Sequence, residues 1–195
     1  MSIFEMYLQL GFEHIMNARA FDHILFIVTL CAVYQLSDWK HVIVLITAFT
    51  IGHSTTLALA TLNIVHINSN LVEFLIPLTI FITAIANISL KKNDYSAGLH
   101  RFKYATSMFF GLIHGLGFSN YLRSLLGVEE NIIKPLFAFN LGLELGQLIV
   151  VCGILLFSFL LINKLKMLKR EWTLILSGAG LGVSLILMFE RSGLI

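Results

Sequence analysis

Asp22 and His23 stand side by side at the head of an apolar run, Phe21-Asp22-His23-Ile24-Leu25-Phe26. Such a pair can hold a metal ion or simply cap a helix at the lipid headgroups. Apolar segments do not carry these groups by default, because an Asp at the centre of a membrane helix costs about 2.5–3.5 kcal/mol. Three other stretches repeat the anomaly: Gly52-His53-Ser54, Ile113-His114-Gly115, and Asn140 through Glu144 to Gln147. Imidazole with carboxylate and amide oxygen is a borderline donor set that suits Ni²⁺, Co²⁺ or Zn²⁺. No cysteine or methionine aligns with it, which argues against Cu(I). A neutral imidazole is the ligand form, and its second nitrogen needs an orienting partner; Asp22, Glu144 or Ser54 could supply one.

The elements that must bring these groups together are membrane helices. Of 195 residues, 57% are hydrophobic and only 12% charged, and the mean hydropathy is +0.87. Soluble domains carry about 25% charged residues, so the chain is expected to be an integral membrane protein. The sequence predicts an all-α polytopic bundle forming one domain. It has about six transmembrane helices, over about 20–36, 42–64, 71–90, 104–122, 132–162 and 172–189. Residues 1–17 read as a short interfacial helix, too short to span. No cleavable signal peptide is evident. Cys31 and Cys152 lie in apolar runs without CxxC spacing and read as small core residues. Gly111/Gly115, Gly142/Gly146 and Gly178/Gly182 have the GxxxG spacing that lets membrane helices approach closely.

Orientation follows from the basic residues. Alternate loops on one side hold nine of the Lys and Arg residues: Lys40, Lys91, Lys92, Arg101, Lys103, Lys164, Lys166, Lys169 and Arg170. The other side holds Arg19, Arg123, Lys134 and Arg191. Both termini are therefore expected outside the cytoplasm. With a rise of about 1.5 Å per residue, His53 and His114 fall about 20 Å up from the cytoplasmic face, and Glu144 about 15 Å down from the outer one. Asp22 and His23 lie near the outer end of the first span, and Glu73 near that of the third. Asn140, Glu144 and Gln147 share one helix face, and Asn87 lies deeper on the stripe of Glu73 and Pro77. Polar groups at such depth usually face a bundle interior or a water-filled cavity. His14 joins them only if the interfacial helix folds over the site. His41, His66 and His100 fall at loop edges and read as solvated.

At these residues the chain resembles the HupE/UreJ family of nickel/cobalt permeases. The matches are Asp22-His23 with the upstream His14 and three runs. These are Thr47-Ala48-Phe49-Thr50-Ile51-Gly52-His53-Ser54, Phe110-Gly111-Leu112-Ile113-His114-Gly115-Leu116-Gly117-Phe118, and Phe139-Asn140-Leu141-Gly142-Leu143-Glu144-Leu145-Gly146-Gln147. The resemblance implies a small all-helical permease of the bacterial inner membrane, with the His-Asp-His group of the first segment and the His-Gly of the fourth helix handling divalent metal.

The leading expectation is a nickel or cobalt permease, zinc being the other candidate ion. His14, Asp22, His23, His53, His114 and Glu144 would be its metal ligands. Glu73, Asn87, Asn140, Gln147 and Ser54 would orient those ligands or line the ion's path. The implied partners are the metal ion and the lipid bilayer, with homo-oligomerisation open and no nucleic acid. The main rival is a membrane-embedded zinc enzyme, with three His holding the metal and Glu144 as general base. A third reading is a non-catalytic protein whose polar cluster locks the bundle.

Overall fold

A computed structural model describes residues 2–17, 21–90, 97–126 and 132–192, and every regular element among them is helical. Arg19, Lys91 and Lys92, counted in the charge asymmetry, lie outside the described residues. In chain order the helices are α1 (Ile3–Met16), α2 (Phe21–Cys31), α3 (Trp39–Thr61), α4 (Ser69–Ser89), α5 (Ala97–Leu126), α6 (Ile133–Phe159) and α7 (Lys169–Arg191). A 3-10 turn (Leu36–Asp38) leads into α3, and a π turn (Leu160–Lys164) ends α6. Four segments are long and apolar enough to cross a membrane: Leu36–Thr61, Ser69–Ser89, Ile133–Lys164 and Lys169–Arg191. At 30 residues α5 is also long enough, though less apolar. This is an all-α membrane bundle.

Glycines set the closest approaches. A Cβ at Gly111 would fall on the carbonyl oxygen of Phe49, and one at Gly52 on that of Met108. The backbones of α3 and α5 therefore touch directly, and Ser107 Oγ donates across them to Leu45 O (2.9 Å). The same device sets α1 against α6: a Cβ at Gly11 would fall on Phe139 O, and one at Gly142 on Leu8 O. Gly178 and Gly182 work differently. Nothing lies within 4 Å of either, because it is Gly180 that turns inward, against Thr29.

Contacts between the helices fix their directions. The glycine contacts make α1 parallel to α6 and α3 parallel to α5. Arg170 donates to the carbonyls of Ile88 and Leu90 while Arg191 donates to that of Glu73, so α7 runs antiparallel to α4. Asp22 faces Arg191 and Ala32 O accepts from Thr173, so α2 also runs against α7. Thus α1 and α2 run the same way. Neither α1 (14 residues) nor α2 (11 residues) can span alone. End to end they measure about 37 Å, more than the roughly 30 Å hydrocarbon core.

The sequence predicts one span over about 20–36, but α2 stops at Cys31. Ala32, Val33 and Tyr34 continue as non-helical backbone with at most 1% exposure. Irregular backbone at such depth needs partners from protein, and it has them. Asn87 Nδ2 donates to Thr29 O (2.7 Å), and Thr173 Oγ1 donates to Ala32 O (3.0 Å). Asn87, expected along an ion path, here caps α2.

Candidate metal centre

The junction between α1 and α2 is where the imidazoles meet. His14 lies in the last turn of α1, which the Gly11 and Gly142 contacts hold along α6. His23 lies in the first turn of α2, and His53 projects from the middle of α3 beside the Gly52 contact. One nitrogen from each of the three rings can be chosen so that all lie within 4.8 Å of one another. Ring centroids are 4.7 Å apart for His14–His23, 6.2 Å for His23–His53 and 6.3 Å for His14–His53. His114 approaches from α5, 5.1 Å from His23 ring to ring.

These rings are poorly satisfied. His14 Nε2, His23 Nε2 and both nitrogens of His53 are buried without a hydrogen-bond partner among the described residues, although Asn140 lies beside His53. A buried polar group left unpaired costs about 1–3 kcal/mol, so native structures rarely gather several in one place. A bound cation would take up these lone pairs together. Metal–imidazole bonds of about 2.0–2.1 Å require ligand nitrogens roughly 3–3.5 Å apart, so an ion would draw the rings inward from their present spacing.

His114 is oriented by a residue that the sequence reading missed. The Thr79 hydroxyl donates its one proton to Ile76 O (2.6 Å) and also lies 3.1 Å from His114 Nε2. With that proton on Ile76 O it would accept from the ring, an arrangement that puts the hydrogen on Nε2 and leaves Nδ1 a free lone pair. Nδ1 is buried and unpartnered. Replacing Thr79 with Val is expected to release this tautomer, shifting the ¹⁵N resonances of His114 away from the Nε2–H pattern. Affinity for any divalent metal held there should fall by about 10–100-fold, as for other orienting partners. Unchanged His114 resonances would refute the assignment.

The other expected groups are placed as follows. Asp22 lies beside the cluster, but its oxygens are engaged: Oδ1 accepts from the His23 amide (3.1 Å) and sits 3.4 Å from His23 Nδ1, while Oδ2 faces Arg191 at 3.4 Å. Glu144 accepts from Thr47 Oγ1 (2.7 Å), and Gln147 accepts from Thr50 Oγ1 (2.9 Å). Asn140 Nδ2 and Ser54 Oγ each donate to the carbonyl one turn back, at Leu136 and Thr50. Glu73 is exposed. No carboxylate joins the three-histidine group among the described residues.

Aromatic rings enclose the centre. Phe118 lies 4.1 Å from His14 and stacks on Phe139 at 5.0 Å. One turn further along α2, α3 and α5, towards the Arg170 end, Phe26, Phe49 and Phe110 form a buried layer. Centroid distances there are 5.0 Å for Phe26–Phe49 and 6.1 Å for Phe26–Phe110. A cavity of about 290 Å³ opens on the opposite side, between α3, α4 and α5, lined by His66, Glu73, Gly117 and Ser119 among others. Beyond the phenylalanines lies a smaller one of about 150 Å³, bounded by Asn87, Lys103 and Ser107.

An apolar helical bundle enclosing a histidine cluster able to hold a metal ion defines a class, the metal-handling integral membrane proteins. Comparison with known families places the chain within that class. The model of the HupE / UreJ protein family matches residues 1–191, nearly the whole chain, and the protein belongs to this family. No curated protein and no solved structure matches it. Membership makes it a nickel/cobalt transport-related protein of a transporter and accessory family rather than an enzyme family.

Proposed function

We propose that the protein is a permease for a divalent transition metal, nickel or cobalt, and that His14, His23 and His53 form its central site, with His114 as the next ligand. The observation that carries this reading is the convergence of three imidazoles from three helices, most of their nitrogens unpartnered. Nitrogen donors favour nickel over magnesium, calcium or manganese. The ion would enter through the 290 Å³ cavity on the outer side, with both termini there, and lose water to the imidazoles. It would pass the phenylalanine layer when the rings turn. Transport requires binding weak enough to release, and nitrogen donors without a carboxylate among the three-histidine group meet that demand. Nothing favours the zinc-enzyme alternative, since Glu144, its expected general base, is tied to Thr47.

The test is uptake of Ni²⁺ or Co²⁺ into proteoliposomes loaded with a metal-sensitive dye. Wild type is expected to fill them faster than protein-free vesicles, and His53→Ala to reduce the rate at least about tenfold. Wild-type vesicles no faster than empty ones, or His53→Ala equal to wild type, would overturn the proposal.

A further inference from the structure

Arg191 closes α7, where a cation is expected to favour the negative end of the helix dipole. Its guanidinium instead reaches across the bundle. Nη1 and Nη2 both lie 3.4 Å from Asp22 Oδ2, and Nη1 donates to Glu73 O at 3.1 Å. That carbonyl is free for a covalent reason. Within α4 it would accept from the residue four positions on, which is Pro77 and has no N–H. The proline thus creates an acceptor that holds Arg191 in place, and Arg191 occupies the Asp22 oxygen that His23 does not.

The geometry points to Arg191 as a specificity-determining residue of the metal site. It withholds the Asp22 carboxylate, so an arriving ion meets imidazoles alone. This rests on the metal-permease reading and adds what the site rejects. Carboxylate suits magnesium, calcium and manganese, whereas imidazole suits nickel and its neighbours. Asp22 sits beside His23, so its release would add a hard, anionic donor at the edge of the cluster. A fixed guanidinium keeps that donor from abundant hard cations.

The experiment is competition calorimetry on the full chain in detergent, with Ni²⁺ and Mn²⁺ as probes. Wild type is expected to bind Ni²⁺ with strong preference over Mn²⁺. Arg191→Gln is expected to bind Mn²⁺ more tightly and narrow the Ni²⁺/Mn²⁺ affinity ratio by about tenfold or more. Adding Asp22→Asn to it should move the ratio back towards that of wild type. Pro77→Ala, which returns an N–H to compete for Glu73 O, should narrow the ratio in the same direction but less. Arg191→Lys keeps the charge without the fork needed to span both acceptors, so it should also give a partial narrowing; it serves if the glutamine variant does not fold. A wild-type protein that binds no Ni²⁺ would end the permease reading itself. A wild type that binds Ni²⁺, with ratios unchanged in Arg191→Gln or Arg191→Lys, would overturn the role of Arg191 alone.

Discussion

Substituting Ala for His23 is expected to weaken Ni²⁺ binding by the purified protein by at least about a hundredfold, or roughly 2.7 kcal/mol. His23 stands at the centre of the cluster, 4.7 Å from His14, 5.1 Å from His114 and 6.2 Å from His53. Losing it removes one ligand and the ring that links the others. His14→Ala and His53→Ala should follow closely, and His114→Ala should cost less, because its ring is outside the 4.8 Å group. His41 and His100 stack on each other at 4.1 Å, away from the centre, and make the matched controls. The melting temperature of the metal-free protein should fall less than for an ordinary core truncation, because relief of unpaired buried nitrogens partly offsets the cavity left by the ring. Calorimetry and a melting curve on the same samples read both effects. A His23→Ala protein that binds Ni²⁺ like wild type would dismiss this centre.

The second large effect is expected from a residue that touches no metal. Gly142→Val would place side-chain atoms on the Leu8 carbonyl and push α1 off α6. Overpacking of this kind costs about 1–3 kcal/mol of stability. Since α1 carries His14, Ni²⁺ affinity should drop about as far as in His14→Ala. Gly153→Val, on the same helix with nothing within 4 Å, should change neither quantity. If Gly142→Val binds normally, the close approach of α1 and α6 is not what positions His14.

These residues also show what a sequence can disclose here. His23, His53 and His114 were legible because an imidazole in an apolar run is costly and therefore conspicuous. GxxxG spacing marked Gly111/Gly115 and Gly142/Gly146 as packing sites, but the partner of Gly142 is Leu8 in a helix too short to attract notice as a span. That α1 and α2 lie end to end is a matter of contact across more than a hundred residues, which no local pattern records. Hydropathy could not see α2 stop at Cys31, because Ala32-Val33-Tyr34 is equally apolar; Asn87 and Thr173 make the break tolerable from other helices. The reach of Thr47 across the bundle to Glu144 is likewise invisible in one dimension. Arg191 reads in the sequence only as an outer charge, although Pro77 marks an unclaimed carbonyl four residues back.

The layer of Phe26, Phe49 and Phe110 bears on how the cell stays energised. Protons cross membranes by hopping along linked water molecules, and a dewetted aromatic constriction breaks any such wire. The layer lies one turn beyond the imidazoles, with Phe26 and Phe49 ring to ring 5.3 and 5.1 Å from His114. In the permease proposed above, such a dry layer would let metal pass without opening a path for protons.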